Sequence, residues 1–221
     1  MKMKNIVKSI IYSFLILSSQ IGSAQLVPLT IEGKLLTPAG DVFSYPDMQY
    51  DVVIQTATET ISIMDLSSCS TDSTIYRLCF EVEQSILNDL PNMTVDPKLD
   101  VDPLNGVSTL DLVLTMRHIL GIDPATEAYQ ILGADVTDDR RISAFDIVKS
   151  RQVILGQILT FDGPAWRFVE QGKYDAINVL DFTTPDVSTP AIIYQSGVNT
   201  YSDLDFVVIK TGDLNLTFVP R

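Results

Sequence analysis

DVDPLNGVSTLDLVLTMRHILG, residues 100–121, and DVTDDRRISAFDIVKSRQVILG, residues 135–156, are two copies of one unit offset by 35 positions. Asp100 matches Asp135, Val107 matches Ile142, Ser108 matches Ser143 and Asp111 matches Asp146. The run Ile119-Leu120-Gly121 matches Ile154-Leu155-Gly156. Each copy begins as a loop of oxygen-bearing side chains and runs into a segment with helical apolar spacing. Such a repeat is one supersecondary unit used twice. A loop of hard oxygen donors leading into a helix is a design that holds calcium.

A loop of this kind draws side-chain ligands from its first, third, fifth and twelfth residues. The seventh supplies a carbonyl, and the ninth often acts through water. In the second copy those positions are Asp135, Thr137, Asp139, the carbonyl of Arg141, Ser143 and Asp146. In the first they are Asp100, Asp102, the carbonyl of Gly106, Ser108 and Asp111, with Leu104 at the fifth place. Leu104 has no side-chain oxygen, so Asn105 turning inward or a water would have to fill the gap. Two Ca2+ sites are expected, the second the stronger. The competing account is a helix capping box, which Ser108-x-x-Asp111 and Ser143-x-x-Asp146 both match. Capping explains four residues. It leaves Asp100, Asp102, Asp135 and Asp139 crowding like charge into the same loops.

The periodicity places Leu112, Met116 and Ile119 on one helical face, widened by Val113 and Leu120, and Ile147, Val148, Ile154 and Leu155 in the second copy. Gly121 and Gly156 stand where left-handed C-terminal caps belong. Between the copies, Asp123-Pro124 reads as a helix start and Gly133 as its end.

The flanks read as strands. Residues 26–95 carry short alternating runs, among them Thr30 to Leu36, Tyr50 to Gln55, Thr60 to Met64 and Ile75 to Val82, spaced as in a β-sandwich. Glu83 to Leu90 suits a helical turn. Residues 158–221 return to strand patterning at Ala165 to Val169, Ala191 to Tyr194 and Asp205 to Lys210. The expected architecture is mixed and mainly β, with a sandwich at 25–95, a helical pair at 96–157 and a C-terminal β segment at 158–221. Cys69 and Cys79, the only cysteines, flank a polar turn, and an even count in an exported chain favours one disulfide.

Export is read from the N-terminus. Lys2, Lys4 and Lys8 precede a short apolar run from Ile10 to Leu17, and Gly22-Ser23-Ala24 offers small residues for cleavage. Residues 1–24 are therefore expected to be a signal peptide cleaved after Ala24, with a secreted or cell-surface mature chain. No stretch reaches the roughly 20 apolar residues of a spanning helix. Losing three lysines takes the formal charge from −13 to −16, a field that repels nucleic acid and anionic membrane alike.

Catalytic raw material is scarce. His118 is the only histidine and reads as a helix-surface residue, which leaves triads and zinc sites without their usual members. Trp166 reads as core. Paired carboxylates can hydrolyse glycosides, but no aromatic-lined cleft is evident around the lone Trp166. Asp213 and Asn215 resemble the start of a further calcium loop that the chain ends too soon to complete. The mature chain is expected to be non-enzymatic.

The paired loop–helix units resemble a type I dockerin domain over about 60 residues, from Asp100 to Gln157. DPLNGVSTLDLVLTMRHILGI is similar to dockerin-like segments of large exported Bacteroidetes proteins. Ile31-Glu32-Gly33-Lys34 with Thr37-Pro38-Ala39-Gly40 resembles the opening of a carboxypeptidase-regulatory or transthyretin-like sandwich. The segments from Trp166 to Val169 and from Phe206 to Asn215 are similar to the stretch C-terminal to the dockerin-like unit in that group. The resemblance implies calcium-bound F-hand repeats and a cohesin-like or other extracellular protein partner. In cellulosomal dockerins the pair before the last loop acid is small and polar; here the pairs are Thr109-Leu110 and Ala144-Phe145. Leu110 and Phe145 therefore favour packing on the flanking β segments. The alternative is an adhesin or carbohydrate-binding accessory protein whose calcium is purely structural.

Overall fold

A computed structural model describes residues 25–99, 101–179, 187 and 192–219. The expected leader 1–24, the expected ligand Asp100 and Ala191 lie outside the described residues. Among the described residues, ten strands and five helices follow in the order β1 Leu26–Gly33, β2 Leu35–Leu36, β3 Gln49–Gln55, β4 Thr60–Leu66, β5 Tyr76–Glu83, α1 Gln84–Leu87 and β6 Asn92–Lys98. Then come α2 Thr109–Ile119, α3 Ala128–Ala134, α4 Ala144–Ile154, β7 Trp166–Glu170, α5 Gln171–Asp175, β8 Ile192–Ile193, β9 Thr200–Tyr201 and β10 Phe206–Lys210. The architecture is mixed and mainly β.

The strands form where the period-two pattern demands them. Val27, Leu29 and Ile31 of β1 point inward with Tyr76, Leu78, Phe80 and Val82 of β5, its antiparallel partner. β3 lies between β4 and β6, and its Tyr50, Val52 and Ile54 share one apolar core with Met93 and Val95. Each such buried aliphatic or aromatic side chain stabilises the fold by about 1.5–3 kcal/mol. The C-terminal strands complete sheets begun by N-terminal residues: β9 runs parallel to β1, β8 pairs with β6, and β10 pairs with both β2 and β7.

β10 is buried along its whole length, because both of its faces are covered. Phe206 and Val208 point into the large β core, while Val207 and Ile209 pack with Leu132 of α3 and Val169 of β7. That continuous burial fits a central strand with something packed on either side.

The helices depart from the periodicity reading in three ways. The predicted apolar faces turn inward only in part: Ile119 packs on the cluster around Ile131, and Leu112, Ile147 and Ile154 are half-buried. Met116, Val113 and Leu120 are 45%, 42% and 63% exposed, and the buried positions of α2 are Asp111, Thr115 and His118. In α4 they are Asp146, Ser150 and Val153. The loop acids must sit inside, and one turn further along the same face carries Thr115 and Ser150. Asp123 does not cap a helix: α3 starts at Ala128 with Glu127 as N-cap, and Asp123 pairs with Arg117 at 3.3 Å. Gly133 does not end α3 but lies within it, where a Cβ would meet the carbonyls of Asp213 and Lys210 at 3.2 and 3.3 Å. Gly121 and Gly156 do adopt left-handed φ of 64° and 66° just beyond α2 and α4.

Cys69 and Cys79 form a disulfide with a Cα separation of 6.2 Å. It closes the Ser70 to Thr74 turn, where Asp72 accepts from the backbone and hydroxyl of Thr74. Closing so short a loop is expected to stabilise the fold by about 2–3 kcal/mol. Equilibrium urea unfolding of the Cys69→Ser/Cys79→Ser double variant should show a loss of that size; an unchanged midpoint would contradict it.

Candidate calcium loops

The second loop is built around two carboxylates that are each 1% exposed, Asp135 and Asp146. Asp135 accepts from the backbone N–H of Asp139 (3.2 Å) and of Arg140 (3.0 Å), which curls the loop over it. Asp146 accepts from Ser143 N–H at 2.8 Å, closing the capping box of α4, and from Thr137 N–H at 3.1 Å. The Thr137 hydroxyl joins the two, 2.9 Å from Asp146 and 3.5 Å from Asp135. Asp138 and Arg140 take left-handed φ of 59° and 65° to make the turn. Arg140 stands at the sixth place, where loops of this class need a sharp turn.

Asp135, Thr137 and Asp146 thus bring hard oxygen donors together, and their chemistry fits calcium. Ser143 supports Asp146 as the N-cap. Asp139 is exposed and instead accepts from Arg141 N–H at 2.9 Å, and Arg141 is exposed as well. Arg167 of β7 anchors the loop from outside, donating to the Asp135 carbonyl and to Asp138, each at 2.7 Å. Among the described residues, no three acidic, histidine or cysteine side chains converge on one point. Any cation would be held by two carboxylates together with hydroxyl, amide and carbonyl oxygens.

In the first loop, the expected donors Gly106 and Asp111 are engaged by the C-terminal segment. Asp111 is 2% exposed and closes the capping box of α2 through Ser108, as its counterpart does. Its other oxygen, however, accepts from Leu214 N–H at 2.8 Å. The Gly106 carbonyl, an expected ligand, accepts from the Thr217 hydroxyl at 2.9 Å. Asn105 does not turn inward; its amide exchanges two hydrogen bonds with the backbone of Val219. Leu104 is 41% exposed, and Asp102 takes a left-handed φ of 50° at the third place, where Thr137 of the second loop does not. The C-terminal segment has wrapped itself around the first loop.

Lys210 stands at this junction, 1% exposed. Its ammonium donates to the carbonyls of Pro103 and Thr211 at 2.8 Å each. It also lies 5.3 and 5.5 Å from the ring centres of Phe161 and Trp166. Burial pushes Lys210 down to about 7, against the pull of Asp213, Asp102 and Asp111. Burial likewise raises Asp213, while N–H groups of Phe218, Asn215 and Thr217 hold it down and Asp111 pushes it further up. Asp213 was legible in the sequence only as part of a D-x-N fragment, and Lys210 only as the end of a strand-like run.

Two further expectations change. His118 is not on the surface: it is 4% exposed, and its Nδ1 accepts from Ala125 N–H at 2.9 Å, pinning the turn after α2. Leu110 and Phe145 do not pack on the β segments; they are 51% and 71% exposed. Trp166 is core, 2% exposed, with its indole N–H on the Val101 carbonyl.

No known protein family, no curated protein and no solved structure matches the chain. Among the described residues, no helix is long and apolar enough to cross a membrane.

Burial lowers the His118 pKa below its ordinary 6.5. The unfolded chain therefore takes up the proton first, and this contribution to stability is present above 6.5 and lost as pH falls below it. Between about pH 7 and about pH 5 the wild type should lose more stability than His118→Asn, whose amide oxygen does not titrate. Equal losses in thermal melts would show that His118 is not the group responsible.

Proposed function

We propose that this chain is an exported, non-enzymatic calcium-binding protein of dockerin-like type, in which a helical pair carried on a β-sandwich docks a protein partner. The observation that carries the reading is the matched exposure of apolar side chains on the two repeats. Leu110 and Phe145, Val113 and Val148, and Leu120 and Leu155 are equivalent positions, and all six are 42% exposed or more. They lie along one side of α2 and one side of α4, helices that pack on each other. An exposed apolar strip costs solubility, and one present in duplicate marks a binding surface. The occupant that fits the dockerin-like reading is a cohesin-like protein offering an apolar face to this strip.

Asp135, Thr137 and Asp146 would hold calcium in the second loop. Bound there, the ion supplies positive charge against two buried carboxylates. The residues themselves fix the approach to α4: Ser143 and Asp146 cap the helix, and Arg167 ties the loop to β7. The loop acids stand at the foot of the helices, so ordering them sets the direction of the exposed strips.

A second reading, a glycan-binding accessory protein, is favoured by a recess of about 220 Å³ beside the disulfide turn. Phe43, Tyr45, Ser70, Thr71 and Asp72 are among the residues that line it. Retention on polysaccharide, lost in Tyr45→Ala, would favour this reading over the first.

Calcium titrated into the chelator-stripped protein should release or absorb heat and raise helical circular dichroism. Saturation at ~100 times the dissociation constant should add about 2.7 kcal/mol of stability per site. Asp146→Ala should remove one binding event. No heat and no spectral change would reduce the loops to capping boxes. Against a panel of purified cohesin modules, retention of the wild type and its loss in Leu110→Ser/Phe145→Ser is the expected result. Retention that survives both substitutions would place the partner surface elsewhere.

A further inference from the structure

We infer that the first calcium loop of this protein is split, with its first half supplied by the C-terminal segment Asp213–Phe218 and its second half by Gly106–Asp111. The inference rests on the proposed binding of calcium and changes which residues serve the first site.

The intact second loop is the standard against which the two halves can be laid. There the first acid, Asp135, accepts from backbone N–H groups four and five residues on, at Asp139 and Arg140. Asp213 does the same with Thr217 (3.3 Å) and Phe218 (2.7 Å). The fourth residue of the second loop, Asp138, has φ 59°; the fourth from Asp213 is Leu216, with φ 56°. Pro103 holds that place in the continuous first loop, and its ring forbids positive φ. The third and fifth places counted from Asp213 are Asn215 and Thr217, both oxygen-bearing, where the continuous loop has the oxygen-free Leu104 at its fifth.

The later positions come from the other segment and meet the first half directly. The Thr217 hydroxyl, at the fifth place, touches the Gly106 carbonyl at the seventh. Asp111, at the twelfth, reaches across to the N–H of Leu214 at the second place, while Asp146 reaches that of Thr137 at the third place of its own loop. Gly106 is required for this approach: a Cβ there would lie 2.3 Å from the Asp213 carboxylate and 2.5 Å from the Phe218 nitrogen. The resulting donor set is two buried carboxylates, an amide oxygen, a hydroxyl and a carbonyl, the chemistry calcium takes.

The fold explains how two segments about 100 residues apart meet. β10 delivers the turn, Gly212 N–H donates to the Gly133 carbonyl at 2.8 Å, and Leu214 packs with Ile131, Ala134 and Ile142. Calcium in such a loop clamps the C-terminal strand to the foot of α2. The stretch from Asp102 to Asn105 is left as a bulge outside the site, pinned by Lys210 and Val219.

Calorimetric titration of calcium chloride into the full chelator-stripped chain tests this with Asp213→Asn, Asp102→Asn and Asp135→Asn. The expected result is two sites in the wild type and in Asp102→Asn. Asp213→Asn and Asp135→Asn should keep one site each, and the sites they lose should differ. Thr217→Val, at an exposed position, serves if Asp213→Asn fails to fold; it should weaken one site by about tenfold with circular dichroism unchanged. A site lost in Asp102→Asn but kept in Asp213→Asn or Thr217→Val would overturn the split loop. So would a wild type that binds one calcium, lost in Asp135→Asn, since Lys210 would then balance the first cluster alone. Absence of any calcium binding would overturn the calcium reading itself, a result distinct from these.

Discussion

Lys210, at the end of β10, carries an ammonium group into the interior between the rings of Phe161 and Trp166. Burying a charge is costly unless it is hydrogen-bonded and compensated. Here two carbonyls accept hydrogen bonds from it, and Asp213, Asp102 and Asp111 supply the opposing charge. The constraint works in both directions, because Asp213 and Asp111 are themselves buried. Strand β10, the first loop and the C-terminal turn must therefore be placed together or not at all.

That junction is where the β and helical parts of the chain become one body. β10 pairs with β2 from the N-terminal stretch and with β7 beyond the repeats, while its outward face packs on α3. Gly133 lets α3 approach closely enough for its carbonyl to accept from Gly212. Arg167 on β7 performs the matching task at the second loop, reaching the Asp135 carbonyl and Asp138. The helical pair is thus gripped at the loop ends of its helices, which leaves the strips along Leu110, Val113, Phe145 and Val148 facing solvent.

The outward turn of Val113, Met116 and Leu120 comes from the same economy of space. A helix whose first turn carries a buried acid must turn that side inward, since the acid is bound by loop N–H groups and by the cap. Thr115 and Ser150 come four residues later on the same side, and the Thr115 hydroxyl is satisfied by the Asp111 carbonyl at 2.9 Å. The apolar residues at the neighbouring angles are displaced outward. Hydrophobic periodicity locates a helix correctly but names its buried face only when nothing polar has a stronger claim on the interior.

Local chemistry was legible in the residues themselves. The alternating runs of β1 and β5, the helical turn after Glu83, the left-handed Gly121 and Gly156 and the serine caps at Ser108 and Ser143 depend on neighbours a few positions away. The spacing of Asp135, Thr137 and Asp146 depends equally on short range. What lay beyond reach was every choice made by a distant partner: His118 turned inward to serve Ala125, Asn105 claimed by Val219, and Gly133 placed by the approach of Lys210 and Asp213. The D-x-N fragment at Asp213 had no completion in its own stretch, because the atoms facing it belong to Gly106 and Asp111. Sequence determines which groups can bind oxygen, cap a helix or fill a core, because those are properties of each side chain and its near neighbours. Only the tertiary structure decides which two segments share one site, because that depends on how β10 is paired and where its end is delivered.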